Sequence, residues 1–315
     1  MPFFEMRLVR GILALNYYAL TTCSRAWHYW LTSMRINIGD CKLFFDVEGA
    51  KLRPDGPRMQ EVPTLVLLHG GPGFDHSTYK PTFSALADVA QIVYLDHRGQ
   101  GRSDRSTPEH WRLDQWAEDV KSFCDALEIE KPIVLGNSFG GMVAMAYAAR
   151  HPDHPGKLVL SSTAGRMRLE RVLAAFEKLG GKQARDVANT FWERPSRDNL
   201  AEYRRVCIPL YNPSGTLANE DARARTVWSL EVMQHFITGE QWTMNLFPEL
   251  HRLKCPTLIL AGDHDPVCTI EDMQELAEAI PGNLVRFERF AEAGHGVFRD
   301  SPERALKSLR EFIVQ

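Results

Sequence analysis

The chain has 315 residues, of which 44% are apolar and 24% are charged. These proportions are ordinary for a globular protein, and the length allows one large α/β domain with or without an inserted subdomain. The formal net charge is −3 and no dense basic stripe is present, so binding to nucleic acid is not expected.

The cysteines and the first 33 residues indicate in which cellular compartment the protein is expected. The six cysteines are scattered and form no C-x-x-C pair, which disfavours zinc ribbons and favours free thiols in a reducing, cytoplasmic setting. An apolar stretch from Gly11 to Thr22 is too short to span a bilayer, and no clear cleavage site is evident. We therefore predict a helical N-terminal extension over residues 1–33, packed on the core or on a partner subunit, which leaves a homo-oligomer open. Export through this extension is the alternative.

The chain that follows alternates predicted strands and helices. Arg35–Ile38 and Cys41–Val47 predict a hairpin, whereas residues 50–62, rich in Pro, Gly, Lys and Arg, predict a loop. Strands are predicted at Thr64–Leu68, Gln91–Leu95, Pro132–Leu135, Lys157–Ser161, Pro256–Leu260 and Leu284–Phe290, and helices at Leu113–Leu127, Val143–Ala149, Ile270–Ile280 and Pro302–Ile313. Such alternation predicts an α/β fold with a mostly parallel, doubly wound sheet.

The alternation stops between residues 164 and 246. This segment has helical periodicity, is rich in Arg and Glu, and contains several clusters of aromatic residues. We therefore predict a helical cap over residues 164–246, inserted into an α/β core formed by residues 34–163 and 247–315.

A serine stands in the sequence pattern of a nucleophile elbow. Gly136-Asn137-Ser138-Phe139-Gly140 lies between a predicted strand and a predicted helix, the context in which G-x-S-x-G has catalytic meaning. The sharp turn needs small residues two positions either side of the serine. A plain strand-to-helix turn with an ordinary serine is the alternative.

A serine nucleophile needs a base, and the base needs an acid that holds its tautomer. His295 lies between two glycines in a loop after a predicted strand, and Asp263 and Asp265 occupy the loop after the preceding strand. The order Ser…Asp…His is that of α/β-hydrolases. From the residues alone, Asp263 and Asp265 are both candidates, although the following proline holds Asp265 in an extended conformation.

Two backbone N–H groups would have to stabilise a developing oxyanion. One is predicted to be that of Phe139, at the start of the helix after Ser138. The other is predicted to come from the loop His69-Gly70-Gly71-Pro72-Gly73, with Gly71 as first choice and Gly70 as second. This loop lacks the lysine and serine of a P-loop, which argues against phosphate binding.

Three motifs carry a family resemblance. The loop His69–Gly73, the segment Asp96-His97-Arg98-Gly99-Gln100-Gly101-Arg102-Ser103 and the elbow at Ser138 together resemble the proline iminopeptidase-like α/β-hydrolases, a peptidase S33-like group. The resemblance covers about Met34 to Gln315 and is weakest in the predicted cap. It implies that Asp265, in a Gly-x-x-Asp-Pro context, is the catalytic acid, and that no metal or organic cofactor is needed.

The same resemblance suggests how a substrate would be held. Proline iminopeptidases bind the free amino group of the substrate with cap glutamates, and the candidates here are Glu193, beside Trp192, and Glu231. We accordingly predict a serine hydrolase that cleaves a small-molecule or short-peptide substrate, with a proline iminopeptidase-like aminopeptidase as the leading interpretation. A carboxylesterase or lactonase for small acyl esters is the alternative, and a non-catalytic ligand receptor with a hydrolase fold is a third hypothesis.

Overall fold

The computed structural model describes residues 34–213 and 220–315; the predicted extension over residues 1–33 lies outside the described residues. The strands are β1 (Arg35–Asn37), β2 (Lys42–Glu48), β3 (Leu52–Asp55), β4 (Arg58–Glu61), β5 (Thr64–Leu68), β6 (Gln91–Leu95), β7 (Ile133–Asn137), β8 (Lys157–Ser161), β9 (Thr257–Gly262) and β10 (Val285–Phe290). The α-helices are α1 (Leu113–Ala126), α2 (Phe139–Arg150), α3 (Leu169–Glu193), α4 (Arg197–Val206), α5 (Glu220–Arg225), α6 (Leu230–Thr238), α7 (Phe247–Leu250), α8 (Ile270–Ala279), α9 (Val297–Asp300) and α10 (Pro302–Val314).

Eight strands form one sheet in the order β1-β2-β6-β5-β7-β8-β9-β10. From β6 to β10 every neighbouring pair is parallel, whereas β2 runs antiparallel to β6. The carboxyl ends of the parallel strands therefore meet at one edge, which is where open α/β sheets place their binding sites.

Both faces of the sheet are covered. All five residues of β5 are buried, and its alternate side chains enter two different cores: Val66 and Leu68 pack on one side, Leu65 and Leu67 on the other. The first core also includes α1, α2 and α8, and the second includes α10. A strand buried on both faces is a nearly continuous apolar run, and Leu65–Leu68 are four consecutive apolar residues. The doubly wound α/β fold predicted from the sequence is confirmed.

The prediction of a loop over residues 50–62 is wrong. Strands β3 and β4 pair antiparallel there as a separate two-stranded sheet, and a turn at Gly56, with φ 56°, joins them. Nearly every residue of the two strands is exposed. Because neither face is buried, the hairpin lacks the apolar alternation by which a strand is recognised in sequence.

Helices replace strands between β8 and β9. The described residues of this segment contain α3 to α7 and no strand, in agreement with the predicted helical insertion. The backbone N–H of Leu246 donates to the carbonyl of Gly165 at 2.8 Å, which joins the two ends of the segment. The division into a cap over residues 164–246 and a core over the rest stays a prediction.

The described helices bear on membrane association. None of them combines the length and the apolar character that crossing a membrane requires. Five cysteines (Cys41, Cys124, Cys207, Cys255 and Cys268) are buried free thiols. Cytoplasmic location and oligomeric state stay predictions.

Candidate active site

Ser138 occupies a strained turn between β7 and α2. Its φ and ψ are 54° and −120°, a conformation that is costly for a residue with a side chain and that persists only where the surroundings enforce it. The Ser138 N–H donates to the carbonyl of Ser161, and the Thr163 hydroxyl donates to the Ser138 carbonyl at 2.7 Å. The turn at Ser138 is thus fixed by Ser161 at the end of β8 and by Thr163 in the loop that follows.

His295 lies within hydrogen-bond distance of Ser138. Its Nε2 is 3.0 Å from the Ser138 Oγ, and its Nδ1 is 2.9 and 2.8 Å from the two carboxylate oxygens of Asp265. An ionised carboxylate only accepts, so Nδ1 carries the proton and Nε2 is free to accept one from the serine. The arrangement is that of a serine nucleophile, a base and an orienting acid.

Of the two candidate acids, Asp265 is hydrogen-bonded to His295, whereas Asp263 is paired with an arginine. Asp265 is buried, and its Oδ1 also accepts the N–H groups of Val267 and Cys268 at 2.8 and 2.9 Å. Asp263 instead forms two hydrogen bonds of 3.0 Å with the guanidinium of Arg289. The two carboxylates are separated by one residue and have no partner in common.

The glycine-rich loop after β5 passes beside Ser138. A Cβ placed on Gly70 would lie 3.5 Å from the Cβ of Ser138, so this backbone passes close to the serine. Gly71 has φ 130°, a region that favours glycine. Within the described residues, neither the Phe139 N–H nor the Gly71 N–H donates a hydrogen bond, whereas the Gly73 N–H donates to the Gln100 side chain at 2.6 Å. The two predicted oxyanion donors thus have no protein acceptor among the described residues, and their role in an oxyanion hole stays a prediction.

A buried histidine pair supports this loop. The Nδ1 of His69 lies 2.8 Å from the Gly70 carbonyl, and the backbone N–H of His97 donates to the Nε2 of His69 at 3.2 Å. Burial lowers the pKa of His69, and it lowers that of His97 further, so both rings are neutral near pH 7. Because the Gly70 carbonyl and the Gly71 N–H belong to one planar peptide, the bond from His69 orients the Gly71 N–H. In the sequence, His69 and His97 are visible only as members of the motifs that follow β5 and β6.

The three cap residues predicted to bind substrate lie in two helices of the insertion, Trp192 and Glu193 at the end of α3 and Glu231 at the start of α6. Glu193 and Glu231 are exposed, and Glu231 lies 3.8 Å from the guanidinium of Arg105, which is itself half exposed. Trp192 is buried among other rings, 5.6 Å from Tyr203 and 5.7 Å from Trp242 between centroids. Among the contacts of the described residues, none joins any of the three to Ser138 or His295. Exposure to water makes either glutamate a poor partner for a buried amine.

The helical segment contributes one further residue to the surroundings of His295, for which the sequence gives no signal. Tyr211 follows α4, and its ring packs edge-on against the imidazole of His295 at a centroid distance of 5.1 Å. The Tyr211 carbonyl accepts the backbone N–H of His295 at 3.0 Å. Aromatic residues are common in this segment, so sequence alone offered no signal that singles out Tyr211.

No group of three or more His, Cys, Asp or Glu side chains is arranged to hold a metal ion in residues 34–213 and 220–315.

The comparisons with known proteins agree with this architecture. The chain is 28% identical over 289 residues to the proline iminopeptidase PfmaB of Pestalotiopsis fici, covering 86% of this chain and 98% of the relative. It is also 28% identical to a 2-hydroxy-6-oxononadienedioate/2-hydroxy-6-oxononatrienedioate hydrolase of Paraburkholderia phymatum, covering 80% and 87%. The crystal structure of VinJ is similar with a TM-score of 0.72 and 21% identity, over 89% of this chain and 97% of that one. The family model described as alpha/beta hydrolase fold matches residues 63–302, which is most of the chain, and the chain therefore belongs to the α/β-hydrolase fold family.

Proposed function

We propose that this protein is a serine hydrolase that cleaves a small amide or ester through an acyl-enzyme. The observation that carries the proposal is the chain of contacts from Ser138 Oγ to His295 Nε2, at 3.0 Å, and from His295 Nδ1 to the Asp265 carboxylate, at 2.8 Å. A nucleophile, a base and an orienting acid in mutual hydrogen-bond reach are the geometric requirement for this chemistry.

Acylation would begin when His295 Nε2 takes the proton of the Ser138 hydroxyl. The serine oxygen forms a bond to the substrate carbonyl carbon, and the carbonyl electron pair moves onto oxygen. The Phe139 and Gly71 N–H groups would donate to that oxyanion. When the oxyanion collapses, the bond to the leaving amine or alcohol breaks, and that group takes the proton from His295 Nε2.

Deacylation would repeat the sequence with water. His295 Nε2 takes a proton from water as its oxygen bonds to the acyl carbon, and the second oxyanion collapses with release of the Ser138 oxygen. The serine recovers its proton from His295 and the acid product leaves. Asp265 stays ionised throughout and stabilises the imidazolium that forms in each half.

For the substrate, the leading proposal is an N-terminal prolyl amide of a short peptide. Its support is sequence similarity over nearly the whole length of a proline iminopeptidase. A hydrolase with a different substrate is also 28% identical, over 80% of this chain, so this similarity bears on the scaffold more strongly than on specificity.

The second candidate is a carboxylesterase or lactonase for small acyl esters. Its support is the exposure of Glu193 and Glu231, because an aminopeptidase needs carboxylates that face the substrate amine. An ester requires no such partner, and an aromatic ring such as that of Tyr211 beside His295 can pack against an acyl chain.

The test of the chemistry compares Ser138→Ala with the unaltered protein. We expect the variant to lose turnover by a factor on the order of 10⁶, with an unchanged circular dichroism spectrum, because the nucleophile is removed and the turn is kept. A fluorophosphonate should label Ser138 in the unaltered protein alone. Turnover retained by Ser138→Ala would refute the mechanism, and failure of the unaltered protein to react with the probe would favour a ligand receptor.

The test of the substrate compares kcat/KM for a prolyl arylamide with kcat/KM for p-nitrophenyl esters of short and medium chain length. A clear preference for the prolyl amide would support the aminopeptidase. Ester turnover without prolyl-amide cleavage would refute it and support the ester hydrolase.

A further inference from the structure

The loop that carries His295 is held by two acceptors outside it. The backbone N–H of Gly294 donates to the Oδ2 of Asp300 at 2.8 Å, and the backbone N–H of His295 donates to the carbonyl of Tyr211 at 3.0 Å. Position 294 must be glycine in this arrangement, because a Cβ there would overlap the Tyr211 carbonyl oxygen. The backbone on the N-terminal side of the imidazole is thus fixed from both α9 and the helical insertion.

Arg299 joins these two acceptors. Its Nη2 donates to the Tyr211 carbonyl at 2.6 Å and to Asp300 Oδ2 at 3.0 Å, and its Nε donates to Asp300 Oδ1 at 2.6 Å. The Asp300 side chain is fully buried and that of Arg299 is only 23% exposed. Charge-assisted hydrogen bonds of this bidentate form are among the most directional in proteins.

The third member of the assembly, Tyr211, reaches the imidazole directly. Its ring packs edge-on against that of His295, and its hydroxyl lies 2.7 Å from the hydroxyl of Tyr203 in α4. The insertion and the imidazole therefore share one support, and a displacement of the Tyr211 backbone would move the base relative to Ser138.

The geometry points to Arg299 as a positioning residue for His295: together with Asp300 it holds the Tyr211 carbonyl and the Gly294 N–H, and so sets the distance between His295 Nε2 and Ser138 Oγ. This inference rests on the proposed function of Ser138 and His295. The residue does not touch the reacting atoms. Its effect is geometric, and a displacement of about 1 Å at a reacting group can cost on the order of 10² in rate.

The experiment compares Arg299→Ala and Arg299→Lys with Arg289→Ala in the full-length protein. Arg289 is the matched control, since it also forms two bonds with one aspartate but faces Asp263. Turnover of a p-nitrophenyl ester and of the prolyl arylamide is measured per active site titrated with a fluorophosphonate. We expect kcat to fall by about 10²-fold in Arg299→Ala and by about tenfold in Arg299→Lys, with KM within about twofold. Arg289→Ala should keep its kcat.

The low-field proton NMR signal of His295 Nδ1–H, bonded to Asp265, is a second readout that requires no turnover. In Arg299→Lys, which keeps the charge beside Asp300, we expect this signal to broaden or disappear while it persists in Arg289→Ala. If kcat and the signal are unchanged in the Arg299 variants, even with a lower melting temperature, the inference is wrong and the proposed function stands. If the unaltered protein neither reacts with the probe nor turns over substrate, the proposed function is wrong. In that case loss of the signal supports the positioning role, and its retention refutes it.

Discussion

The carboxylates of Asp263 and Asp265 lie in the same loop after β9 and bind different partners. Asp265 is buried against His295 and accepts two backbone N–H groups, whereas the partly exposed Asp263 is paired with Arg289. A buried carboxylate next to the imidazole fixes the tautomer and stabilises the imidazolium. An ion pair at the surface adds little to stability or to chemistry.

The same substitution, aspartate to asparagine, is therefore expected to have different effects on kcat at the two positions. We expect Asp265→Asn to lower kcat by about 10⁴-fold, because the amide can hold the wrong tautomer of His295. The matched variant Asp263→Asn should change kcat by less than about twofold, since its partner Arg289 is half exposed and the ion pair is at the surface. Steady-state kinetics on any accepted substrate checks both, and equal losses in the two variants would contradict the assignment of the acid.

At the scale of secondary-structure elements, the junction between β7 and α2 depends on how closely three backbones approach. A Cβ on Gly140 would overlap the carbonyl oxygen of Leu68 in β5, and one on Gly136 would overlap the carbonyl oxygen of Gly140. The start of α2 thus lies directly on the end of β5. This contact brings the glycine-rich loop after β5 next to Ser138.

Gly140→Ala should consequently prevent folding or lower the free energy of unfolding by more than about 4 kcal/mol, since backbone atoms cannot move away as a side chain can. Gly282, before β10, is the control, because a Cβ there meets nothing within 4 Å. We expect Gly282→Ala to change the free energy of unfolding by less than about 1 kcal/mol. Urea unfolding measures the free energy of unfolding of both variants. A stable, active Gly140→Ala variant would contradict the close approach of α2 to the end of β5.

For the molecule as a whole, an ion cluster joins the helical insertion to the core. Arg168 and Arg171, at the start of α3, each bond to both Asp272 and Glu275 of α8, at distances from 2.5 to 2.9 Å. Asp272 is buried and also caps α8 through Thr269. Burial raises the pKa of Asp272 above its ordinary value, although Arg171 and Thr269 oppose that shift.

Removal of both arginines should loosen the insertion. We expect the variant with Arg168→Ala and Arg171→Ala to lose about 1.5–3 kcal/mol of unfolding free energy at pH 7, the range of hydrogen bonds to charged groups. Hydrogen exchange should accelerate in α3 and not in β5 or β7. Arg185→Ala is the control, because Arg185 pairs only with Glu170 and Glu177 of its own helix among the described residues.

The same variant should show a defined dependence on pH. Without the arginines, the folded-state pKa of Asp272 rises further above that of the unfolded chain, so the folded state binds more protons in the interval between the two values. In acid, the protonated Asp272 carboxyl therefore stabilises the folded state of the variant. This stabilisation is lost as the pH rises through the folded-state pKa. The deficit relative to the unaltered protein should grow from acid to neutral pH, and a deficit that shrinks would contradict this account of Asp272.

Much of the fold and part of the site could be predicted because the signals are local. The strands β5 to β9 are recognised as mainly apolar runs, β10 mixes apolar and charged residues, and the elbow at Ser138 requires glycines at fixed spacing. The hairpin β3–β4 had no such signal, since it is exposed on both faces. Glu193 and Glu231 are candidate ligands by family resemblance; a sequence does not show which way a side chain on a helix faces, and their role stays a prediction.

The sequence by itself determined the order of strands and helices, the helical insertion and the identity of the serine and histidine candidates, because turn geometry and hydrophobic periodicity involve residues within a few positions of one another. The tertiary structure decided which aspartate meets His295, which backbone N–H groups stay available, and that Tyr211 and Arg299 support the histidine loop. Those relations join residues that are far apart in the chain: His295 and Ser138 are 157 positions apart, and Arg299 and Tyr211 are 88 apart. Such pairs meet only when parallel strands align their carboxyl ends and the insertion folds back over that edge.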